Sequence, residues 1–327
     1  MTSTPNPAIS PLALIADDMR AVDRVIAQRL TTSVPLIGQI SHYIIAAGGK
    51  RLRPALLLLV CGALGYEGAQ RFNLAAVVEL IHTATLLHDD VVDESTMRRG
   101  RATANESFGN PASVLVGDFL HTRSFQMMVE AGSMRIMEIL SEATNVIAEG
   151  EVQQLINMHD ASLDEAGYLR VIRSKTAKLF EASAQLGAIL AGSPPAIEAA
   201  CATYGQALGT AFQIIDDVLD YDGDTAEMGK NIGDDLREGK STLPLIAAMQ
   251  RGTPEQAATV RHAIEQGSTE SLEKIVAIVK ETGALEVARA AAHAEAQRAI
   301  TALACIPSNM YSASLLQLAA QLLERRS

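Results

Sequence analysis

Apolar residues recur at three- and four-residue spacing along most of this chain, a period typical of α-helices that bury one face. Breaks containing glycine or proline at residues 65–68, 109–111 and 192–195 end several of these stretches. Aromatic residues make up only 4% of the chain, and no alternating β-branched runs joined by hairpin turns stand out. The sequence therefore predicts an all-α fold.

No proline- or serine-rich linker divides the 327 residues, and hydrophobic residues make up 48% of them, which is enough for a sizeable core. We therefore expect residues 1–327 to form a single all-helical domain. Residues 1–20 contain three prolines, so we expect this N-terminal segment to be loosely ordered.

Several classes of protein are disfavoured. The longest uninterrupted apolar run, residues 55–62, is far shorter than the roughly 20 residues that cross a bilayer, and the N-terminus lacks the basic region of a signal peptide. Cys61, Cys201 and Cys305 have no C-x-x-C spacing, so neither a disulfide framework nor a zinc cluster is predicted. A formal charge of -11 argues against a nucleic-acid partner. We expect a cytoplasmic protein without a transmembrane segment.

Two acidic clusters of the same pattern, Asp-Asp-x-x-Asp, lie inside apolar helical stretches. They consist of Asp89, Asp90 and Asp93, and of Asp216, Asp217 and Asp220. Residues four apart share one face of a helix, so Asp89 is expected to lie over Asp93. The same spacing places Asp216 over Asp220.

Carboxylates this close repel one another, and apolar surroundings raise the cost, so a counter-ion is expected. Mg²⁺ prefers carboxylate oxygens and completes its shell with water and substrate phosphate. Two such clusters facing each other would hold a diphosphate through Mg²⁺. The alternative is a pair of solvated acidic stripes, which the duplicated pattern disfavours.

Positive charge is concentrated in a few places of this acidic chain. Residues 50–53 supply three cations ahead of an apolar stretch, and residues 98–101 supply three more after the first acidic cluster. Lys175 lies on a further predicted helix. Arginine binds phosphate through two parallel hydrogen bonds and lysine as a point charge, so these groups suit a substrate pair carrying diphosphates. The arginines at 98–101 could instead merely offset the acidic residues before them.

A glycine-rich, charged stretch at residues 222–240 is predicted to be an unusually long loop. It carries Lys230 and Lys240. Because loops of this kind often close over a bound ligand, the stretch is a candidate lid.

The order of these motifs resembles that of the all-trans polyprenyl diphosphate synthases, with the octaprenyl members most similar at residues 82–88 and 148–155. The resemblance covers roughly residues 40–250. It rests on G-G-K-R-L-R-P at 48–54, D-D-x-x-D at 89–93, R-R-G at 98–100, G-D-F-L at 117–120, K-T-A at 175–177 and F-Q-x-x-D-D-x-x-D at 212–220.

The resemblance implies a helical bundle around a deep central cavity, usually a homodimer. It implies Mg²⁺ as cofactor, and isopentenyl diphosphate and an allylic diphosphate, expected to be farnesyl diphosphate, as substrates. The six aspartates would hold Mg²⁺ against the allylic diphosphate. The residues in contact with that diphosphate or its surroundings would be Arg98, Lys175, Gln213, Lys230 and Lys240. Those holding isopentenyl diphosphate would be Lys50, Arg53, His82 and Arg99.

The implied reaction ionises the allylic carbon–oxygen bond, and the double bond of isopentenyl diphosphate then attacks the cation. Lys175 would stabilise the departing diphosphate, and the oxygens of Thr176 and Gln213 would stabilise the cation. The released diphosphate can take the proton, so no protein base is required. The expected product is a polyprenyl diphosphate of about octaprenyl length for a quinone side chain, a lipid that would bring the enzyme near a membrane.

Product length should depend on the helix face that runs from the first acidic cluster into the apolar interior. Thr85 and Ile81 lie four and eight residues before the first aspartate and share its face, and Ala84 lies beside them. Ala84 and Thr85 are small, whereas a bulky aromatic residue commonly blocks this path in short-chain members of the family. Met127 and Met128 are candidates for the distant floor, unless they only fill the core.

Four alternatives follow from parts of the same pattern. A shorter-chain, geranylgeranyl-type synthase would share every motif. A terpene cyclase would not need the second diphosphate site. An all-helical metal phosphohydrolase would use His82, His88 and Asp89 and leave the second acidic cluster idle. A non-catalytic partner subunit would have no need of metal ligands.

Overall fold

The computed structural model describes residues 11–222 and 233–324, and most of them are helical, which confirms the predicted all-α fold. The α-helices are α1 (Ala16–Arg29), α2 (Pro35–Ala46), α3 (Leu52–Ala63), α4 (Gln70–Val92), α5 (Ala104–Phe108), α6 (Asn110–Glu130), α7 (Met134–Asn157), α8 (Glu165–Ile172), α9 (Lys178–Leu190), α10 (Pro195–Asp222), α11 (Asp234–Arg237), α12 (Leu243–Arg251), α13 (Pro254–Gln266), α14 (Leu272–Glu281), α15 (Ala284–Ala302) and α16 (Met310–Leu323). Two short 3₁₀ helices are Ala13–Ile15 and Leu303–Cys305. Strands in the described residues are confined to an antiparallel hairpin of β1 (Met97–Arg98) and β2 (Arg101–Ala102).

Helix α3 lies at the centre of the bundle because it is apolar on nearly every side. Its buried residues run from Pro54 to Ala63 with a single interruption at Gly62. A helix that is apolar all round is stable only when neighbours cover every face. Helices α4, α9 and α16 provide that cover, while α4 packs along α6 and α10 packs along α9 and α15.

Helices α8 and α9 form one continuous helix that is interrupted by a π-helical turn, Arg173–Ala177. Such single π-turns are rare and occur frequently at functional sites. This π-turn carries Lys175 and Thr176, and it packs between α7 and α10.

The N-terminal segment differs from the expectation for residues 1–20 in its second half. Residues 1–10 lie outside the described residues. Beyond them, Ile15, Val22 and Ile26 are buried, and α1 packs on α4. Apolar residues at this spacing form one stripe of a helix, and burial of that stripe orders the segment.

The predicted loop at residues 222–240 is described only in part. Residues 223–232, with Lys230 among them, lie outside the described residues. The described remainder is not entirely loop, because α11 lies within it. The chain after α11 turns back so that Lys240 reaches the central cavity.

The buried apolar residues form two clusters that meet along α10. Its residues up to Ala211 belong to the first cluster, with α1, α3, α4 and α6, and those from Ile214 onward belong to the second, with α12–α15. None of the described helices has both the length and the apolarity that a bilayer span requires.

Candidate active site

A cavity of about 670 Å³ lies between the C-terminal parts of α4 and α10. The start of α3, the β hairpin, α7, α8, the π-turn, α9 and residues 235–242 also contribute to its wall. The sequence-predicted residues that line it are Lys50, Arg53, His82, Thr85, Asp89, Asp93, Arg98, Arg99, Lys175, Thr176, Gln213, Asp216, Asp217, Asp220 and Lys240. Both acidic clusters and the cationic groups therefore share one cavity.

The first acidic cluster is divided by the period of α4. Asp89 and Asp93, four residues apart, line the cavity, whereas Asp90 is fully buried outside it. The guanidinium of Arg98 donates to Asp90 Oδ1 from Nε at 2.8 Å and from Nη2 at 2.6 Å. Asp90 thus holds Arg98, which itself lines the cavity, and the arginine offsets Asp90 rather than Asp93.

The second acidic cluster lies on α10, and all three of its aspartates line the cavity. Asp217 is 4% exposed and accepts hydrogen bonds from Tyr168 Oη at 2.6 Å and from Gln213 Nε2 at 2.8 Å. Burial and the nearby charge of Asp235 raise the pKa of Asp217 to about 8. Both oxygens of Asp217 are therefore engaged by neighbours, while Asp216 and Asp220 also face the cavity.

Lys175 lies between two carboxylates. Its Nζ is 2.6 Å from Glu151 Oε2 and 3.8 Å from Asp89 Oδ2. Burial and the nearby charge of Asp89 raise the pKa of Glu151 to about 7. One lysine thus partly neutralises the first cluster and the acidic residue that α7 contributes opposite it.

Lys240 likewise partly neutralises Asp93. Its Nζ lies 3.4 Å from Asp93 Oδ2 and also contacts Glu238. Burial by itself would lower the pKa of Lys240, but the charges of Glu238, Asp235 and Asp93 outweigh it and raise that pKa. The lysine therefore stays charged inside the cavity.

The acidic residues fit a divalent cation that takes further ligands from substrate and water. No group of three or more His, Cys, Asp or Glu side chains in the described part of the chain could hold an ion alone. Burial raises the pKa of Asp89 even though Lys175 is close, so its negative charge is incompletely compensated. Hard cations bind through one or two carboxylates plus phosphate oxygens in this manner.

The cavity is also lined by cationic residues from the start of α3 and from the hairpin. The guanidinium of Arg53 lies 4.5 Å from the centre of the Phe180 ring, and burial lowers the pKa of Arg53 to about 10. Burial and then the charge of Arg53 lower the pKa of His82, so its imidazole is neutral at neutral pH. Lys50 and Arg99 line the same region.

Backbone geometry at the start of α3 allows these cations to approach one another. Gly49 has φ 152°, and a Cβ there would lie 2.8 Å from the guanidinium nitrogens of Arg99. Arg51 takes a left-handed conformation with φ 49°, and its Nη1 lies 3.2 Å from Oε1 of Glu79. Glu79 is thus a buried counter-charge within the cationic group.

The residues proposed to set product length are not all at the cavity wall. Thr85 lines the cavity together with Leu86. Ile81 and Ala84 are 1% exposed and pack in the core, and Met127 and Met128 are 0% exposed. The two methionines therefore fill the core between α4 and α6 in this structure.

Glu79, Glu151 and Tyr168 line the cavity but carried no role in the sequence-based prediction. Glu79 and Glu151 are acidic residues inside largely apolar helical runs, and that signal could have drawn attention to them. Tyr168 gave no such signal, because its partner Asp217 is supplied by a distant helix.

The phosphohydrolase alternative requires His82, His88 and Asp89 to meet, and they do not. His88 Nε2 lies 3.2 Å from the carbonyl oxygen of Val114 on α6 and 3.4 Å from Oδ1 of Asp118. His82 and Asp89 line the cavity, whereas His88 does not. The proposed histidine–aspartate set is therefore not assembled.

Comparison with known proteins agrees with this geometry. The family model for polyprenyl synthetase matches residues 34–281. The chain is 54% identical over 307 residues to octaprenyl diphosphate synthase from Escherichia coli, covering 94% of this chain and 95% of that protein. It is 52% identical over 314 residues to the octaprenyl diphosphate synthase of Haemophilus influenzae, covering 95% of each.

Solved structures show the same likeness. A polyprenyl synthase from Caulobacter crescentus, crystallised with calcium and isoprenyl diphosphate, superposes with a TM-score of 0.94 at 45% identity over 97% of each chain. Fold, motifs and sequence identity agree, so the predicted resemblance is confirmed: the chain belongs to the polyprenyl synthetase family and is a polyprenyl diphosphate synthase.

Proposed function

We propose that this enzyme adds isopentenyl diphosphate units to farnesyl diphosphate and forms a polyprenyl diphosphate of about octaprenyl length, for use as a quinone side chain. One observation carries the proposal: a single cavity is lined by aspartates of both acidic clusters, by the cationic residues and by apolar side chains such as Leu86 and Phe180. Two diphosphates and one growing hydrocarbon chain need these three surfaces together. The identity to octaprenyl diphosphate synthases supports the product length.

Enzymes of this family use a divalent metal, and we propose that Mg²⁺ is the ion here. Asp89, Asp93, Asp216 and Asp220 are the proposed ligands, since all four line the cavity and each pair, four residues apart, shares one face of its helix. Asp90 and Asp217, first predicted as ligands, are better suited to holding Arg98 and Gln213 in place. The bound ion would stabilise negative charge on the departing diphosphate.

The allylic diphosphate is proposed to lie between the two acidic walls. Lys175 and Lys240 would then exchange their present carboxylate partners for diphosphate oxygens, which places fixed positive charge where negative charge develops. Thr176 Oγ1 donates to Gln213 Oε1 at 3.0 Å, so the two side chains hold each other at the cavity wall. Their oxygens are the proposed stabilisers of the allylic cation.

Isopentenyl diphosphate is proposed to bind Lys50, Arg53, His82 and Arg99. Burial and then the charges of Arg53 and Arg99 lower the pKa of His82, so positive charge is concentrated here and the diphosphate of the substrate would offset it. The released diphosphate would take the proton after condensation. Residues 233–242, which include Lys240, would help to exclude water from the cation.

Product analysis tests the proposal directly. Purified enzyme incubated with farnesyl diphosphate, isopentenyl diphosphate and Mg²⁺ should give octaprenyl diphosphate on chromatography. A product that stops near geranylgeranyl length would favour the shorter-chain alternative. Asp89→Ala and Asp216→Ala should each reduce kcat by orders of magnitude while the helical circular-dichroism signal is retained.

We also propose that the enzyme is a homodimer. Apolar side chains are exposed near the start of α6, Leu115 at 66%, and near the end of α7, Val152, Leu155 and Ile156 at 58%, 56% and 68%. The three residues on α7 are spaced so that they share one face. Exposed apolar groups of this kind mark protein interaction surfaces, and a second copy is the proposed occupant.

A cytoplasmic location is part of the proposal. Cys61, Cys201 and Cys305 are free thiols, and the first two are buried. Free cysteines are typical of proteins that work in a reducing compartment.

A further inference from the structure

The π-turn places two proposed catalytic side chains, and its own position depends on the helices beside it. A π-turn inserts one extra residue into a helix, so the local backbone is wider than that of a regular α-helix. The wider turn here carries Lys175 and Thr176 into the cavity. It must nevertheless pack between α7 and α10.

Helix α7 approaches the π-turn at a glycine. A Cβ on Gly150 would lie 2.8 Å from the backbone nitrogen of Lys175 and 2.8 Å from Cβ of Ser174. Real Cβ atoms essentially never lie this close to another heavy atom. Because one of the two atoms is backbone, rotation of a side chain cannot relieve the contact.

Helix α10 approaches the other side of the π-turn in the same way. A Cβ on Gly209 would lie 2.8 Å from Cα of Ala177 and 3.0 Å from the side chain of Phe180. One turn earlier, a Cβ on Gly205 would lie 2.3 Å from the carbonyl oxygen of Phe180. Two helices therefore meet the π-turn and the residues after it through glycine.

Glycine is needed at these positions because neighbouring backbone approaches closely, and not because the backbone takes an unusual conformation. Gly150 and Gly209 lie inside regular helices and have no positive φ. Glycine within a helix costs about 0.5–1 kcal/mol relative to alanine, so it is disfavoured unless a Cβ would collide with something.

We propose that Gly150 and Gly209 are positioning residues for prenyl transfer. By admitting the widened π-turn between α7 and α10, they determine where Lys175 and Thr176 enter the cavity. The kinetic part of this inference rests on the proposed function, whereas the structural part does not.

Gly150→Ala is the test, with Gly38→Ala as its matched control. Gly38 lies inside α2 with nothing within 4 Å of its Cβ position, so alanine there should leave the enzyme unchanged. Displacement of a catalytic group by about 1 Å can cost roughly a hundredfold in rate, so Gly150→Ala should lower kcat by about that factor. The KM for isopentenyl diphosphate should not change, because its proposed ligands lie just before or at the start of α3, on α4 and in the hairpin.

Hydrogen exchange gives a second readout that needs no substrate. Amides of residues 173–178 should exchange faster in Gly150→Ala than in the wild type, while those of α3 stay protected. Gly209→Ala provides a second variant should Gly150→Ala not fold. A lower melting temperature with unchanged kcat and unchanged exchange at 173–178 would show a purely structural role and overturn the inference. A wild-type enzyme without prenyl transfer would count against the proposed function alone.

Discussion

Asp89 and Asp90 are adjacent on α4 but point in different directions, because a helix turns about 100° per residue. Asp89 faces the cavity, whereas Asp90 is buried against Arg98. Asp89→Asn should therefore reduce kcat by at least about a hundredfold with little loss of stability. Asp90→Asn should instead lower the free energy of unfolding by about 1–3 kcal/mol, because the Arg98 guanidinium loses its charged partner. Urea unfolding and steady-state kinetics of both variants would separate the two effects, and equal kinetic defects would contradict this division.

His82 should make the enzyme less stable at mildly acidic pH. Burial and then the charge of Arg53 lower the pKa of His82 in the native state. The unfolded chain has the usual value of about 6.5, so below that pH it binds a proton that the native state does not, and stability falls as pH falls. Between pH 7.5 and 5.5 the loss due to His82 is on the order of 1 kcal/mol.

The matched variant His82→Gln tests this prediction, because glutamine cannot take up the proton that His82 binds in the unfolded chain. Urea unfolding without metal at the two pH values should show a smaller acid-induced loss in His82→Gln than in the wild type. The same loss in both proteins would mean that His82 does not titrate differently on unfolding. In kinetics, His82→Ala should act mainly by raising the KM for isopentenyl diphosphate.

The positions of some side chains in the cavity could be predicted from the sequence, and those of others could not. Asp89 and Asp93 could be placed in the site because their spacing and the helical period depend only on local sequence. The burial of Asp217 against Tyr168 could not, because that hydrogen bond joins helices far apart in the chain. Glu151 was missed for the same reason, since its partners Lys175 and Asp89 come from other helices.

One face of α4 is expected to lead from the proposed metal site into the apolar interior, and Thr85 lies on this face and lines the cavity. Thr85→Phe should shorten the product, because an aromatic ring there would fill the path of the growing chain. Thr85→Ser, which adds no volume, is the control and should leave the product length unchanged. Chromatography of products from both variants provides the measurement, and identical products would exclude this path.

Ala84→Phe is predicted to shorten the product as well, but the packing of α4 adds a second effect. Ala84 is 1% exposed within the core, so a phenylalanine there should also destabilise the protein by about 1–3 kcal/mol. Thr85→Phe should show little of this destabilisation. Thermal unfolding of the two variants distinguishes blockage of the path from overpacking of the core.

Helices were more predictable from sequence than their interruptions. Apolar periodicity marked the long helices, because burial of one face dictates that pattern. The π-turn at Arg173–Ala177 has no such pattern, since it depends on close approach by Gly150 and Gly209 from other helices. Likewise, α11 lies in a stretch predicted as loop, and its four residues are too few to show a period.

Assembly of two chains should depend on the exposed apolar face of α7. Sedimentation equilibrium of the wild type should give the mass of a dimer. Ile156→Glu places a charge at the most exposed residue of that face and should shift the enzyme to monomer. Met310→Glu is the control, because Met310 on α16 is similarly exposed, at 63%, but lies on another helix. A monomeric wild type, or dissociation of both variants, would contradict the proposed interface.

The two apolar clusters are expected to unfold together, as one domain, because α10 belongs to both. The cavity lies where they meet, with Asp89 on α4 packed in the first and Asp220 at the end of α10 in the second. A ligand that bridges these aspartates should stabilise both clusters at once. At one hundred times its Kd, such a ligand adds about 2.7 kcal/mol to the free energy of unfolding. Calorimetry with Mg²⁺ and a non-hydrolysable farnesyl diphosphate analogue should therefore show a single unfolding transition that shifts to higher temperature. A second transition whose temperature does not change would mean that the two clusters unfold independently.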